Sequence, residues 1–318
     1  MKICKNTIAF ALLALTALPA AWADAPNNTT ELNNPPQPGT VNSIEREAFL
    51  DGRPIDNKNI GSVTMDAGQM LTTGAGKAEV LLTPGIYLRL DANSAVKMIS
   101  PDLEQTQVEL VSGRASLEVD QIFPENMVQM IVGGATVQLI KTGYYEFQAA
   151  QPMVMVFSGR AEVELGEGKW QAVKGRHELA LAGKGGAKPV EFDTHPQGDR
   201  LYSWSSLRSQ YLAEANNEIA GNYAGSPGFY PGWYWDPFMY DYTFLGWDPF
   251  FSPFGWGFYP WGGFYGGWGG FYGGRGFYGG RGFYGGRGFA GRGMGGGFHG
   301  GGMGGGGFHG GGGGGGVR

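Results

Sequence analysis

A twelve-residue segment written twice constrains this chain more than anything else in it: Val108–Val119, VELVSGRASLEV, returns 46 residues later as Val154–Leu165, VMVFSGRAEVEL. Both copies set Ser-Gly-Arg-Ala between two runs in which apolar and polar residues alternate. Val108, Leu110, Ala115, Leu117 and Val119 correspond to Val154, Val156, Ala161, Val163 and Leu165. Alternation with period two puts every second side chain on one face of a strand, so each copy reads as strand, glycine turn, strand. Glycine suits the corner because it enters the region of positive φ without steric cost.

A shorter echo, Gly-x-x-Glu-apolar, begins at Gly143, Gly159 and Gly175, at intervals of 16 residues, and fits Gly76 as well. Gly76, Gly113, Gly143, Gly159 and Gly175 are therefore the expected structural turns of an all-β body. Its expected form is a stacked or meandering sheet, either a β-solenoid or a sandwich-like pair of sheets. Alternating runs fill the stretch from Gly61 onward, among them Glu79–Leu82, Ile86–Leu90, Val96–Ile99, Met127–Val132, Ala135–Ile140, Tyr144–Ala149, Trp170–Val173 and His177–Leu181. The expected β domain spans residues 60–192.

The first 23 residues have the layout of a secretory signal: Lys2 and Lys5, the apolar run Ile8–Leu18, then Ala21-Trp22-Ala23 before Asp24. Cleavage after Ala23 is expected, delivering the chain to the periplasm, the cell surface or the medium. The apolar run is shorter than the ~20 residues that a membrane-spanning helix needs. Cys4, the one cysteine, lies inside that signal. Disulfides, a thiolate nucleophile and cysteine-bound metal are accordingly excluded from the mature chain. Residues 24–59, rich in Asn, Thr and Pro at their start, read as a disordered spacer, with Ile44–Ile60 able to add an edge strand or a short helix.

Charge is unevenly placed. Residues 24–220 hold 16 basic and 25 acidic side chains, net −9, whereas residues 221–318 hold 5 and 3, net +2. An acidic body repels polyanions, so nucleic acid is not an expected partner.

The run AGQMLTTGAGKAEVLLTPGIYLRLDANSAVKM, residues 67–98, resembles the start of a FecR domain. That family's pattern is a glycine, a Thr-Gly turn, an alternating strand, a glycine turn and an Asn-x-x-apolar strand. LVSGRASLEV and the Val137–Phe147 pair occupy the places of its next elements, and the resemblance covers about residues 60–190. Where the family usually writes Gly-Thr-x-Phe, this chain has Lys141-Thr142-Gly143-Tyr144-Tyr145-Glu146-Phe147. The resemblance implies an exported β domain. It also implies an alternative role, because FecR-family proteins are periplasmic sensors that pass an outer-membrane transport signal through a membrane helix to a sigma factor. Only seven residues precede the apolar run, which is short for a sigma-binding module.

The period changes over residues 199–220. Asp199 is placed to cap a helix, Leu201, Trp204, Leu207, Tyr211, Leu212 and Ala215 recur at three and four residues, and Gly221 is placed to stop it. Trp204 and Arg208 resemble the W-x-x-x-R helix that follows exported FecR domains. Past Gly221 the composition shifts: 41 of the 60 glycines and 30 of the 44 aromatic residues fall in residues 221–318. Trp235-Asp-Pro-Phe recurs at Trp247, and Phe-Tyr-Gly-Gly-Arg-Gly runs three times, placing Arg275, Arg281 and Arg287 six apart. Glycine at that density costs too much conformational entropy for a unique fold, so a disordered tail is expected. The aromatic stretch 229–265 resembles the region after FecR domains in other exported bacterial proteins and is able to pack locally.

No catalytic motif is present: there is no Gly-x-Ser-x-Gly elbow, no phosphate loop and no His-Glu-x-x-His helix. Glu118, Glu162, Glu164 and Glu178 are the nearest thing to a Ca²⁺ ladder, but acidic residues on the polar side of strands read first as solvated charge. His177, His195, His299 and His309 do not make a metal set, and no cofactor is expected. The sequence therefore describes an exported, non-enzymatic binding or scaffolding protein of the cell envelope. Arg275, Arg281 and Arg287 beside Phe-Tyr pairs are the expected tail contacts, for self-association or for adhesion to an envelope protein or polysaccharide.

Overall fold

The alternation becomes two β-sheets that face each other across one apolar core. The computed structural model describes residues 36–164, 168–181, 187–194, 198–223 and 229–260. The expected signal at 1–23, the first part of the spacer, His195, His299, His309 and the arginines Arg275, Arg281 and Arg287 lie outside the described residues.

In chain order the strands are β1 (Val41–Glu45), β2 (Ala48–Leu50), β3 (Arg53–Ile55), β4 (Met70–Thr73), β5 (Lys77–Leu81), β6 (Ile86–Leu90), β7 (Ala95–Pro101), β8 (Gln105–Ser112) and β9 (Arg114–Val119). They continue as β10 (Met127–Val132), β11 (Ala135–Leu139), β12 (Gly143–Gln148), β13 (Met153–Val156), β14 (Arg160–Glu164), β15 (Trp170–Lys174), β16 (His177–Ala180) and β17 (Val190–Glu191). One sheet has eight strands in the order β1-β5-β6-β9-β12-β13-β16-β17. The other has nine, ordered β15-β14-β11-β10-β8-β7-β4-β2-β3. The sheets are not meanders: β8 and β10 run parallel, Val108 opposite Met130, and sequence neighbours repeatedly lie in different sheets.

Those changes of sheet explain the glycines. Gly113 lies between β8 of the nine-stranded sheet and β9 of the eight-stranded one, so the chain turns a corner there and does not form a hairpin. Gly159 sits at the equivalent corner between β13 and β14, where the crossing runs in the opposite direction. The two copies of the repeated segment are thus one corner used twice with the sheets exchanged. Gly113 has φ +74° and Gly159 φ +93°, values that penalise side chains. A Cβ on Gly113 would overlap Ser94 Oγ and lie 2.7 Å from the Asn93 carbonyl oxygen; one on Gly159 would overlap Tyr145 Oη. Gly76 and Gly175 mark two further crossings, β4 to β5 and β15 to β16. At the second of these the positive φ belongs to Arg176, not to the glycine. Gly143 is no turn: it opens β12 at φ 159°, and glycine is required there because a Cβ would run into the Ser158 carbonyl.

Three boundaries differ from the sequence reading. The spacer expected at 24–59 contains β1, β2 and β3, because β1 pairs with β5 and β2 with β4 at positions alternation alone does not mark. The helix α1 (Arg200–Tyr223) starts where Asp199 caps it, its Oδ1 accepting from the amides of Leu201 at 2.9 Å and Tyr202 at 3.1 Å, but it runs through Gly221. The tail expected from residue 221 is folded over 229–260. There β18 (Gly232–Asp236) pairs with β19 (Asp241–Leu245), and β20 (Phe250–Phe251) pairs with β21 (Gly257–Phe258). No helix of the described residues is long and apolar enough to cross a membrane.

Candidate functional site: the capped face of the eight-stranded sheet

Over β5, β6, β9 and β12 the eight-stranded sheet has two buried faces of opposite character. Its inner positions are apolar across four neighbouring strands: Ala78, Leu90, Ala115 and Phe147 stand in register, and so do Val80, Leu88, Leu117 and Tyr145. Each Val, Leu or Phe among them contributes about 1.5–3 kcal/mol when withdrawn from water. The outer positions form one polar row, Glu79, Arg89, Ser116 and Glu146, and one mixed row, Leu81, Tyr87, Glu118 and Tyr144. All eight are essentially inaccessible to solvent, because α1 and the β18–β19 hairpin lie over them.

Burying charge is tolerable only when it is paired. Arg89 donates from Nε to Glu79 Oε2 at 2.6 Å and from Nη1 to Glu118 Oε2. Arg208, from α1, donates from Nη2 to Glu79 Oε1 at 2.8 Å and to Asp241 Oδ2 at 2.9 Å, joining sheet, helix and hairpin at one guanidinium. Ser209 donates to Glu118 Oε1 at 2.6 Å. Asn42 on β1 donates to Glu79 Oε1 at 3.0 Å and to the Tyr242 carbonyl at 2.9 Å, while its Oδ1 accepts from Tyr242 N at 2.7 Å. Asn216 holds the hairpins by donating to the Phe244 carbonyl at 2.7 Å and accepting from Tyr259 N at 2.9 Å.

Burial works against ionisation of Glu79, but Arg208 and Arg89 outweigh it and hold the carboxyl down at about 2. Asp241 faces Arg208 alone, with Glu79 and Asp236 nearby, so burial prevails and raises it to about 6. Asp120, after β9, is pushed far up by burial, with the charge of Glu118 adding.

A second cluster lies at the N-terminal end of α1. Arg114 donates from Nη2 to Glu146 Oε2 and to Asp199 Oδ2, each at 2.5 Å, and its Nη1 lies 3.9 Å from Asp91 Oδ2. Burial, reinforced by Asp199 and opposed by Arg114, raises Glu146 to about 7. The Tyr144 hydroxyl donates to Glu146 Oε1 at 2.9 Å. Beside it is a cleft of about 140 Å³ lined by Tyr144, Phe157, Tyr202 and Phe254 together with Ser158 and Thr194.

Of the expected turn glycines, Gly76, Gly113, Gly159 and Gly175 stand at the corners and Gly143 lies within β12; none of the five enters either cluster. Glu118, Glu162, Glu164 and Glu178 are not a ladder: Glu162 and Glu164 are on β14 in the nine-stranded sheet, whereas Glu118 and Glu178 are in the other. Among the described residues no group of three His, Cys, Asp or Glu side chains is arranged to hold a metal ion. Sequence reasoning missed Glu79, Arg89, Glu118, Glu146 and Asp241 as buried, since polar residues alternating along a strand read as a solvated face. The signal available was Arg208 in the W-x-x-x-R helix, and the helix phase. The expected apolar stripe included Leu207, which is 44% exposed, whereas Ser205, Arg208, Ser209 and Asn216 face inward.

Residues 69–162 match the family model described as FecR protein. The chain carries a FecR domain. That FecR domain begins just before β4 and ends within β14, so it contains Glu79, Arg89, Glu118 and Glu146, while Asn42, Arg208 and Asp241 come from outside it. The polar cluster is therefore the seam between the FecR domain and the segments that flank it. Two crystal structures of candidate anti-sigma factors from Parabacteroides distasonis ATCC 8503 are similar to the chain. One has 16% identity, covers 43% of this chain and 64% of its own, and has a TM-score of 0.35. The other has 14% identity, coverage of 57% and 83%, and a TM-score of 0.35. The match thus spans less than two thirds of the first of these proteins. No curated protein matches the chain.

Proposed function

We propose that the chain is a non-enzymatic receiver of the FecR type, working in the bacterial cell envelope and relaying an outer-membrane transport signal towards a sigma factor. The observation that carries this reading is the FecR domain at residues 69–162. Members of that family act as periplasmic sensors, and the two-sheet body is the receiving module here. It needs no metal or organic cofactor, and its acidic body does not favour nucleic acid. The experiment is deletion of the gene followed by transcript profiling with and without candidate transport substrates. A discrete gene set should lose induction and should change in the same way when the sigma factor is deleted. An unaltered transcript profile under every substrate overturns the reading.

A second reading, binding or scaffolding, is supported by the exposed aromatic side chains of the C-terminal hairpins, among them Phe238 at 79%, Tyr230 at 71% and Phe251 at 70% exposure. Several large aromatic side chains left in water over one short stretch favour an interaction role. In this reading Arg275, Arg281 and Arg287 and their Phe-Tyr neighbours add multivalent self-association or adhesion to envelope protein or polysaccharide. Deleting residues 261–318 should then abolish salt-sensitive association in light scattering, and equal association without them overturns it.

A further inference from the structure

The turn between β18 and β19 consists of Pro237, Phe238, Met239 and Tyr240, and all four are exposed. Phe238 is 79% exposed, Tyr240 67% and Met239 40%, so three large side chains of mainly apolar surface follow one another in water. Charge is kept away from them. Asp236 and Asp241 are the charged residues of the segment 229–247, they flank the turn as a cross-strand pair, and both are buried. Asp241 accepts from Arg208, and Asp236 Oδ1 accepts from Phe238 N at 2.8 Å. Tyr240 N donates to the Asp236 carbonyl at 2.9 Å, and Pro237 has no amide hydrogen. Few donors are thus left for an incoming polar partner. Tyr240 also holds φ +54°, a region that penalises a bulky side chain and favours glycine.

We propose that this turn is a lipid anchor, in which Phe238 and Met239 enter the acyl boundary of a bilayer surface while Tyr240 stays at headgroup level. Withdrawal from water drives Phe and Met inward, whereas a tyrosine, with an apolar ring and a polar tip, is held where the two media meet. A turn whose amides are bonded internally enters such a medium without stranding them. A protein partner is ordinarily met through a polar rim around an apolar centre, which a turn without exposed charge does not offer. The acidic body, net −9 over residues 24–220, is repelled by anionic headgroups, so the anchor suits zwitterionic lipid. The inference rests on the second reading, in which these side chains favour binding, and names one partner class for it; it does not depend on the signalling reading.

The test is co-sedimentation of the full chain with phosphatidylcholine vesicles, with and without added phosphatidylglycerol. Capture should persist in high salt and weaken as phosphatidylglycerol is added. The double variant Phe238→Ser, Met239→Ser should lose at least about tenfold in partitioning, the lower end for withdrawing one Phe from water, with circular dichroism confirming that it is folded. Tyr240→Gly should weaken capture without lowering the urea midpoint, since it relieves the positive φ. Depth is read separately. In a Cys4→Ser background, an environment-sensitive dye attached at Met239→Cys should shift to the blue on vesicles, while one at Leu103→Cys, 52% exposed between β7 and β8, should not. Light scattering without lipid reads self-association, so the anchor and the second reading can each fail alone. No capture, capture that salt removes, capture indifferent to the double variant, or an equal dye shift at both positions overturns the proposal.

Discussion

The guanidinium of Arg208 donates to the Glu79 carboxylate 2.8 Å away, joining residues 129 positions apart in the chain. The contact spans the boundary of the FecR domain, since Glu79 lies inside it and Arg208 beyond it. Its second bond, to Asp241, continues the tie into the C-terminal hairpin. Replacing such a pair by apolar residues is often neutral, but removing one partner strands the other charge. What the cluster adds is therefore chiefly a single admissible seat for helix and hairpin on the sheet.

Arg208→Met should cost about 3 kcal/mol, because Asp241 would be left without its cation and Glu79 with Arg89 alone. Urea denaturation measures the loss, and hydrogen exchange should show β18 and β19 opening before the sandwich. An unchanged midpoint would mean that the pairing does not hold the hairpin down.

Gly113→Val and Gly159→Val should each destabilise by more than about 1 kcal/mol, since both positions combine positive φ with no room for a Cβ. Gly52, at φ +75° with open space around it, is the control. Its valine variant carries the backbone penalty without the overlap and should lose less.

Acidity should act through Glu146. Its carboxyl sits at about 7 in the folded chain against an ordinary value of 4.5, so the folded state holds the proton more tightly. The stability it contributes is fully present below the ordinary value and is lost as pH rises through about 7. Asp241, at about 6 against 3.8, acts in the same direction. Glu79, at about 2 against 4.5, acts in the other: its contribution is present above its ordinary value and lost as pH falls towards 2. Glu146→Gln should therefore reduce the fall in unfolding free energy between about pH 5 and about pH 8 by on the order of 2 kcal/mol. The same pH dependence in variant and parent would refute this.

The phase of α1 is testable with two substitutions. Leu207→Ser, on the exposed side, should change stability by less than about 0.5 kcal/mol. Ser209→Leu should cost more than about 1 kcal/mol, because it removes the donor to buried Glu118 and adds bulk at a packed seam. The opposite order would place the helix the other way round.

Much of the two-sheet body was legible in the sequence because period-two alternation reports directly on which side chains face a core. Val108, Leu110, Leu117 and Val119 are all buried as that pattern requires. Gly113 and Gly159 were legible as turns, but not as crossings between sheets, because a local signal carries no information about which neighbour a strand will pair with. For the same reason local pattern allows, but does not fix, an edge strand within Ile44–Ile60 and local packing within 229–265, where β1 to β3 and the C-terminal hairpins form. Their order comes from partners far away, such as Asn42 bonding to Tyr242 across 200 positions.

By itself the sequence determined the FecR-type alternation, the corner glycines, the Asp199 cap and the acidic excess of the body, since each rests on local backbone preference or on a sum of charges. Only the tertiary structure decided that Glu79, Arg89, Glu118 and Glu146 are buried. A polar residue on a strand faces water or protein according to what the rest of the chain lays over it, and here α1 and the aromatic hairpins do so. The same packing brought Tyr144, Tyr202 and Phe254 together from three separate elements to make the cleft.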